Sequence, residues 1–594
     1  MALLLGSHSV FAIPADPAVR TYRQPDGTLI KYQITGDEFS HSILDIQGRE
    51  MCFDTTTRTL RLMSKAEIED RKQAAPRRAP EPGTERRGFY PTTGQRHSLV
   101  FLIEFSDIRF TTVGDDPNLY YTRMLNEEGF ADHGATGSAR DYYLTASKGL
   151  FEPTFDVVGP IRLDKTASYY GGNGPSGSDV HQAEPIYEAC IIADSLGLVD
   201  FTQYDDDQNG IVDNIFFFYA GFGEADTGFS DFIWPHAWNL DNAELPLTLQ
   251  GKKIYSYACS NEIRYQENAA EYEPTGIGTF VHEFAHVLGL PDLYNTVGGM
   301  SSLYSYTPNN WSVMDHGPYN NNTCTPPTFS SFERYSIGWL HPEILTPQAD
   351  TTSVLPALEE SARAYLVEVP AREHEYFLLE NRQQEGWDTY LPNHGMLIWH
   401  IDYDSTRWAN NSPNNEPKQL VDIYEADGDY TSSTYTGDVM PGACNITSLA
   451  LYSWANELVT SPDFVRETAD GTILFLLQGV NYSAAQPQTL QVSNLDAHGF
   501  VLSWDEVSDA TSYRVIVNEG ESQVQSLEVI DTSVMLVELK PATTYTLQVV
   551  AYVGTFASQP ATMQVTTMDL PFVDRTPTIL PATDIQANSF VAHW

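Results

Sequence analysis

The stretch Thr279-Phe280-Val281-His282-Glu283-Phe284-Ala285-His286-Val287-Leu288-Gly289-Leu290-Pro291-Asp292 decides how the rest of the chain is read. Val281, Phe284, Ala285 and Leu288 recur at i, i+3, i+4 and i+7, one apolar face of a helix. His282 and His286, four apart, leave the neighbouring face together, so two imidazole nitrogens can meet one ion without backbone strain. Glu283 is turned about 100° from the first histidine and can reach a water beside that ion while staying out of its coordination shell. Gly289 permits a left-handed exit, and Pro291 forbids further helix. The turn sends Asp292 back as a third, oxygen ligand. Two histidines at this spacing are, by themselves, more often ordinary surface or core residues. Helical periodicity, the glycine stop and the acid in the eleventh place together make a metal site, and two nitrogens plus one oxygen with an open position predict zinc.

A second constellation lies upstream in Asp205-Asp206-Asp207-Gln208-Asn209-Gly210-Ile211-Val212-Asp213. Asp205, Asp207, Asn209 and Asp213 stand at relative positions 1, 3, 5 and 9 of a calcium loop, with Gly210 at the sixth for the turn. The bidentate glutamate of position 12 is missing, since Phe216 stands there and opens a strand. The alternatives are an Asp/Asn-rich surface turn and a structural calcium site completed by another carboxylate; the expectation is calcium.

Composition narrows the partners. The 594 residues carry 33 Lys plus Arg against 79 Asp plus Glu, a net charge of −46. Such a surface repels nucleic acid and anionic membranes and suits cations. With 42% hydrophobic residues and only 19% charged, several cores can be buried, and the length fits about three to five domains. No run approaches the roughly 18 apolar residues of a membrane span. Five scattered cysteines allow at most two bridges and form no CxxC pair, so no thiolate metal site is expected.

Residues 1–12 read as a signal-peptide remnant, with Leu3-Leu4-Leu5 in the apolar part and Val10-Phe11-Ala12 as a small-residue cleavage pattern, although the basic leader is absent. Residues 13–92 read as a propeptide of short strands, ending in an Arg- and Pro-rich joint at 71–87 that suits proteolysis. Leu99-Val100-Phe101-Leu102-Ile103 is a buried strand near the start of a catalytic domain at 93–345. A β-sandwich occupies 346–484. Trp504, Tyr513 and the phrase Leu539-Lys540-Pro541-Ala542-Thr543-Thr544-Tyr545 resemble a fibronectin type III module, placed at 485–568. Phe590-Val591-Ala592-His593-Trp594 repeats Phe500-Val501-Leu502-Ser503-Trp504, so 569–594 reads as the start of a second, truncated module.

The zinc string, with Asp292 in its aspartate variant, is similar to the extended motif of metzincin-type peptidases. Trp311-Ser312-Val313-Met314-Asp315 is similar to the methionine turn of that group. Phe105-Ser106-Asp107, Ser138-Ala139-Arg140-Asp141-Tyr142-Tyr143, Ile233-Trp234-Pro235-His236 and Leu379-Glu380-Asn381-Arg382 resemble the immune inhibitor A family of secreted bacterial metallopeptidases, a likeness spanning about 20–480. The resemblance implies a multidomain α/β (α+β) metzincin-like peptidase followed by β-sandwiches. It also implies Met314 as a hydrophobic support beneath the metal. The tyrosine found two residues after the methionine in several metzincins is replaced by His316, with Tyr319 farther on, so no oxyanion helper is assigned.

The function expected is a secreted or cell-surface bacterial zinc endopeptidase, made as a zymogen, with Glu283 as general base and proteins or peptides as substrates. The rival is an adhesin with a vestigial peptidase domain, whose sandwich and fibronectin modules bind glycans or host proteins. The intact His282, Glu283 and His286 argue against decay. A thermolysin-type site with a distant glutamate ligand is disfavoured by Gly289 and Asp292.

Overall fold

The structure, a computed structural model, describes residues 11–593 except 17, 38–40, 69–89, 176, 267–270, 297–306, 347–351, 370–371, 373, 416–417, 430–434, 480–484, 508–509, 554–555 and 571–578. The leader as far as residue 10 and the joint at 71–87 fall outside these residues. A first short strand, Phe11–Ala12 (β1), precedes five strands, Arg20–Arg23 (β2), Leu29–Gly36 (β3), His41–Asp45 (β4), Glu50–Asp54 (β5) and Thr59–Leu62 (β6). These five form a sheet in sequence order, each antiparallel to the next. Its buried side chains Tyr32, Ile34, Ile43 and Met51 pack with Ala225, Phe229 and Trp234 from farther along the chain. The expected propeptide therefore shares a core with residues of the expected catalytic domain.

The central sheet is built from Gly94–Glu104 (β7), Phe151–Arg162 (β8), Ile215–Phe222 (β9), His236–Asn239 (β10) and Ser256–Arg264 (β11). Strands β8, β7, β9 and β11 run parallel in that spatial order. Strand β10 adds antiparallel beside β11, and β1 pairs antiparallel outside β10. The continuous apolar run of β7 reflects burial on both faces. Leu99, Phe101 and Ile103 enter one core with helix Glu184–Leu196. Val100 and Leu102 enter the opposite core, where helices Pro117–Asn126 (α1), Ala139–Ala146 (α2) and Ile277–Val287 (α3) lie. Local chemistry fixes where these helices start. Asp116 caps α1 through the Leu119 N–H, and Ser138 with Asp141 forms a capping box on α2.

The 346–484 segment contributes most of two further sheets, the first of which begins just before it. Glu343–Ile344, Tyr365–Glu368, Glu375–Arg382 (β12), Gly395–Asp402 (β13) and Val421–Ile423 form one; Thr352–Leu355, Ile473–Gly479, Leu458–Glu467 and Leu451–Tyr452 form the other. Leu378, Leu397, Trp399 and Ile401 belong to the same apolar cluster as Phe280 and Phe284 of α3, so this segment and the central sheet share one core. At the seam, fully buried Arg382 pairs with Glu380 at 3.0 Å and Asp388 at 2.7 Å. Buried charges are tolerated when paired and hydrogen-bonded in this way.

Residues 448–450 and 478–594 form a separate unit. Strands Gln491–Ser493, Phe500–Ser503 and Ser533–Leu536 make one sheet, and Ser512–Glu519, Ser522–Val529, Thr544–Val553, Phe556–Ala557 and Ala561–Thr566 make the second. Trp504 meets Tyr513 edge-on at 5.2 Å in the core. The Lys540 N–H donates to the Tyr545 hydroxyl at 2.8 Å, a tyrosine corner. Leu580–Gln586 and Ser589–His593 form a two-stranded hairpin. All five cysteines are free thiols, so neither of the two bridges that five cysteines allow is present.

Candidate metal and catalytic centre

Every residue of α3 is buried, because its apolar face meets the sheet while its other face lies under later loops. Phe280 stacks on Phe284 at 5.7 Å and meets Phe216 and Phe155 edge-on or tilted. Burying each such ring stabilises by roughly 1.5–3 kcal/mol, which fixes the helix rotation and hence where the histidines point. Gly278 lets the loop over the helix come close: a Cβ there would sit 2.0 Å from the Pro318 carbonyl oxygen. The helix ends at Gly289, whose φ of +104° takes the chain out in the direction expected.

The histidine tautomers are settled by their outer partners. His282 Nδ1 lies 2.7 Å from the Val313 carbonyl and His286 Nδ1 2.8 Å from the Leu290 carbonyl. A carbonyl only accepts, so each Nδ1 carries the proton and each Nε2 presents a lone pair. The two Nε2 atoms are 3.2 Å apart, and Asp292 Oδ1 lies 3.3 Å from His282 and 3.1 Å from His286. Asp292 Oδ1 is buried without a hydrogen-bond partner. A tetrahedral ion with bonds of about 2.0–2.1 Å holds its ligand atoms roughly 3.3 Å apart. The trio thus fits zinc in donor type and spacing.

Titration agrees. Burial pushes the His286 imidazole below its ordinary pKa and favours the neutral, ligating form. Burial alone would raise Asp292, but the neighbouring His286 and His282 outweigh it and hold the carboxyl well below the usual range, in the ionised form. Glu283 behaves oppositely: burial and the nearby Asp292 charge drive its pKa well up. Its Oε1 accepts the Ile13 N–H at 2.7 Å, while Oε2 is buried and unpartnered.

The segment after the helix braces the trio. Val313, whose carbonyl orients His282, precedes Met314, which is fully buried in the core shared with α3. Leu293, next to Asp292, donates its N–H to the Met314 carbonyl at 2.8 Å. The Met314 N–H in turn donates to Ser312 Oγ at 3.0 Å and Glu333 Oε1 at 3.3 Å.

Sequence reasoning did not anticipate the N-terminal residues here. Strand β1 pairs with β10 beside the trio, Phe11 opposite Ala237 and Ala12 opposite His236. Trp234 Nε1 donates to the Ile13 carbonyl at 2.9 Å, and the Tyr319 hydroxyl to the Pro14 carbonyl at 2.6 Å. The expected leader cleavage pattern drew attention to these residues without saying where they lie. His236 is a core histidine: it contacts the Trp234 carbonyl and the Tyr257 hydroxyl, and burial lowers its pKa to about 4.

At the second constellation, ligand atoms of Asp205, Asp207 and Asp213 gather within 4.8 Å of one another. Asn209 is folded into the same loop, but its Oδ1 accepts the Ile211 N–H at 2.8 Å and its Nδ2 donates to Asp207. Lys252 pairs with Asp205 at 2.5 Å. Asp213 Oδ1 is buried without a partner, and burial together with the charges of Asp206, Asp207 and Asp205 pushes its pKa up to about 7.

Residues 90–341 match the model of the immune inhibitor A peptidase M6 catalytic domain, and 485–565 match the fibronectin type III domain. The pre-pro-metalloprotease PrtV of Vibrio cholerae serotype O1 is 30% identical over 328 residues, covering 46% of this chain and 33% of PrtV. Immune inhibitor A of Bacillus thuringiensis subsp. alesti is 24% identical over 269 residues, covering 39% of this chain and 38% of that protein. The chain thus spans about a third of the length of these relatives. No helix among the described residues is long and apolar enough to cross a membrane.

His286→Ala removes one of three donors. Metal analysis after dialysis against zinc should fall from about one ion per chain to near none, whereas undiminished metal would show that the trio is not the site.

Proposed function

We propose that this chain, which carries a peptidase M6 (immune inhibitor A) domain and, after it, a fibronectin type III domain, is a secreted, metzincin-like zinc endopeptidase made as a zymogen and acting on extracellular proteins. The observation that carries this reading is the set of three converging lone-pair donors, together with the buried, unpartnered Oε2 of Glu283 on the helix that bears both histidines. The name pre-pro-metalloprotease borne by PrtV supports both a leader and a prosegment.

His282, His286 and Asp292 would hold the ion, and zinc there supplies Lewis acidity that lowers the pKa of a water to about 7 and polarises a carbonyl. Glu283 takes the proton from the attacking water at its unpartnered Oε2 and passes it to the leaving amine. A cation beside it favours the carboxylate form that burial alone opposes. Strand β10 offers its outer edge to an extended peptide by strand addition, the lane that β1 takes. Trp234 and Tyr319 hold carbonyl groups along that lane.

The alternative of an adhesin with a vestigial peptidase draws its support from the fibronectin module. Glu283→Gln separates the two. In protein cleaved within 71–98 and freed of its N-terminal fragment, it should keep stoichiometric zinc while casein hydrolysis falls by about 10²–10⁴-fold; undiminished hydrolysis, or none in the wild type so treated with zinc bound, would contradict the enzyme reading.

The zymogen reading is supported by Ile13, the first residue after the expected leader, whose N–H occupies the base, and by the Ile13 and Pro14 carbonyls, which Trp234 and Tyr319 hold in the proposed substrate lane. Removal of the leader after Ala12 would leave that nitrogen as an α-amino group, whose charge strengthens a contact with a carboxylate. Protein cleaved within 71–98 and separated from its N-terminal fragment should hydrolyse casein at least ~10-fold faster than the intact chain, a gain of about 1.4 kcal/mol in barrier. Equal rates would show that the segment does not restrain the site.

For the acidic loop we propose structural calcium on Asp205, Asp207, Asn209 and Asp213. Asp213 has a folded pKa raised above its unfolded value, so in the metal-free protein its contribution to stability declines as pH rises from about 4 to about 7. Calcium needs the carboxylate, so its affinity should climb over the same window and level off above it. Calorimetric titration at both ends checks this, and an equal affinity at the two pH values would contradict it.

A further inference from the structure

The third donor of the trio is held by a residue 119 positions downstream. Asn411 Oδ1 accepts the backbone N–H of Asp292 at 2.7 Å, and Asn411 Nδ2 donates back to Asp292 Oδ2. One planar amide thus grips both the main chain and the carboxylate of a single residue. With Oδ2 engaged, Oδ1 is the oxygen turned towards the two imidazoles, and it is the one without a hydrogen-bond partner. Asn411 and Asp292 are both completely buried.

The loop after Asp292 is held by the same short segment. Asn414 Nδ2 donates to the Leu293 carbonyl at 2.7 Å, and Asn415 Oδ1 accepts the Thr296 N–H at 2.7 Å. Asn414 is itself fixed, accepting the Leu420 and Val421 N–H groups. The backbone explains why asparagine stands at 411. It comes just after the short helix Ser405–Ala409 with φ of +53°, a left-handed position that asparagine tolerates better than most residues.

We infer that Asn411 is a positioning residue for the metal centre: its side chain selects which carboxylate oxygen of Asp292 faces the ion and fixes that oxygen's place. The segment supplying it lies beyond the residues 90–341 that match the peptidase model, so the centre is completed from the adjoining sandwich region. Outer partners of this kind set ligand orientation, and losing one typically weakens metal binding by about 10–100-fold. The inference rests on the zinc reading of the trio.

The test uses the full chain and reads metal, not turnover. Asn411→Gly keeps the left-handed backbone and deletes the amide; Asn411→Ala deletes it with some backbone strain; Asn415→Ala loosens the same loop without touching Asp292. Zinc affinity by chelator competition should drop about 10–100-fold in both Asn411 variants and hold within about twofold in Asn415→Ala. The visible absorption of the cobalt-substituted protein, which reports ligand geometry, should change in the Asn411 variants alone. Should one Asn411 variant fail to fold, the other carries the comparison. Unchanged affinity and spectrum in the Asn411 variants, or an equal loss in Asn415→Ala, would overturn the positioning role while leaving the zinc centre standing. A wild-type chain that binds no zinc would instead overturn the reading of the trio itself.

Discussion

Two imidazole lone pairs and a carboxylate oxygen meet within 3.3 Å of one another in a buried place. With both Nδ1 atoms already donating to carbonyls, neither ring can turn a proton inwards without giving up an outer bond. Three acceptors facing one another in a low-dielectric setting repel, and a buried acceptor without a donor costs about 1–3 kcal/mol. On the proposed reading a divalent cation would convert this conflict into attraction. Metal affinity and folding would then be coupled through this one point.

Several separate stretches of chain converge to hold it. Helix α3 supplies the histidines and is clamped by stacked phenylalanines against the central sheet. The turn around Met314 sets the tautomer of His282 and holds the chain next to Asp292. The buried Arg382 cluster ties β12 to that turn, since Arg382 also donates to the Trp311 carbonyl. Truncation inside the 346–484 segment is therefore expected to disturb the trio, although none of its three residues lies there. The N-terminal segment comes from the opposite direction and closes the side where Glu283 waits.

Much of this was legible in the residues and part was not. The helix from Ile277 to Val287 and its glycine exit depend on spacing and backbone freedom, which are local properties, and so they read directly. The strand at Leu99 and the Trp504–Tyr513 core read for the same reason. Asn411 did not read, because an asparagine in Asn410-Asn411-Ser412-Pro413-Asn414-Asn415 looks like a solvated turn until the fold carries it to Asp292. Ile13 is equally silent, since its backbone N–H, not its side chain, meets Glu283. The 346–484 segment read as its own sandwich, whereas its apolar face is one wall of the core that holds α3; alternation along a strand shows which face is buried but not against what.

The claim on which the account stands is that one zinc ion occupies the space between His282, His286 and Asp292. Anomalous diffraction on crystals of the zinc-loaded protein, recorded on both sides of the zinc absorption edge, locates the ion without assumptions about activity. The account predicts one strong peak within bonding reach of His282 Nε2, His286 Nε2 and Asp292 Oδ1, with Asp292 Oδ2 still on Asn411. A peak elsewhere, or rings swung apart with nothing between them, would contradict it.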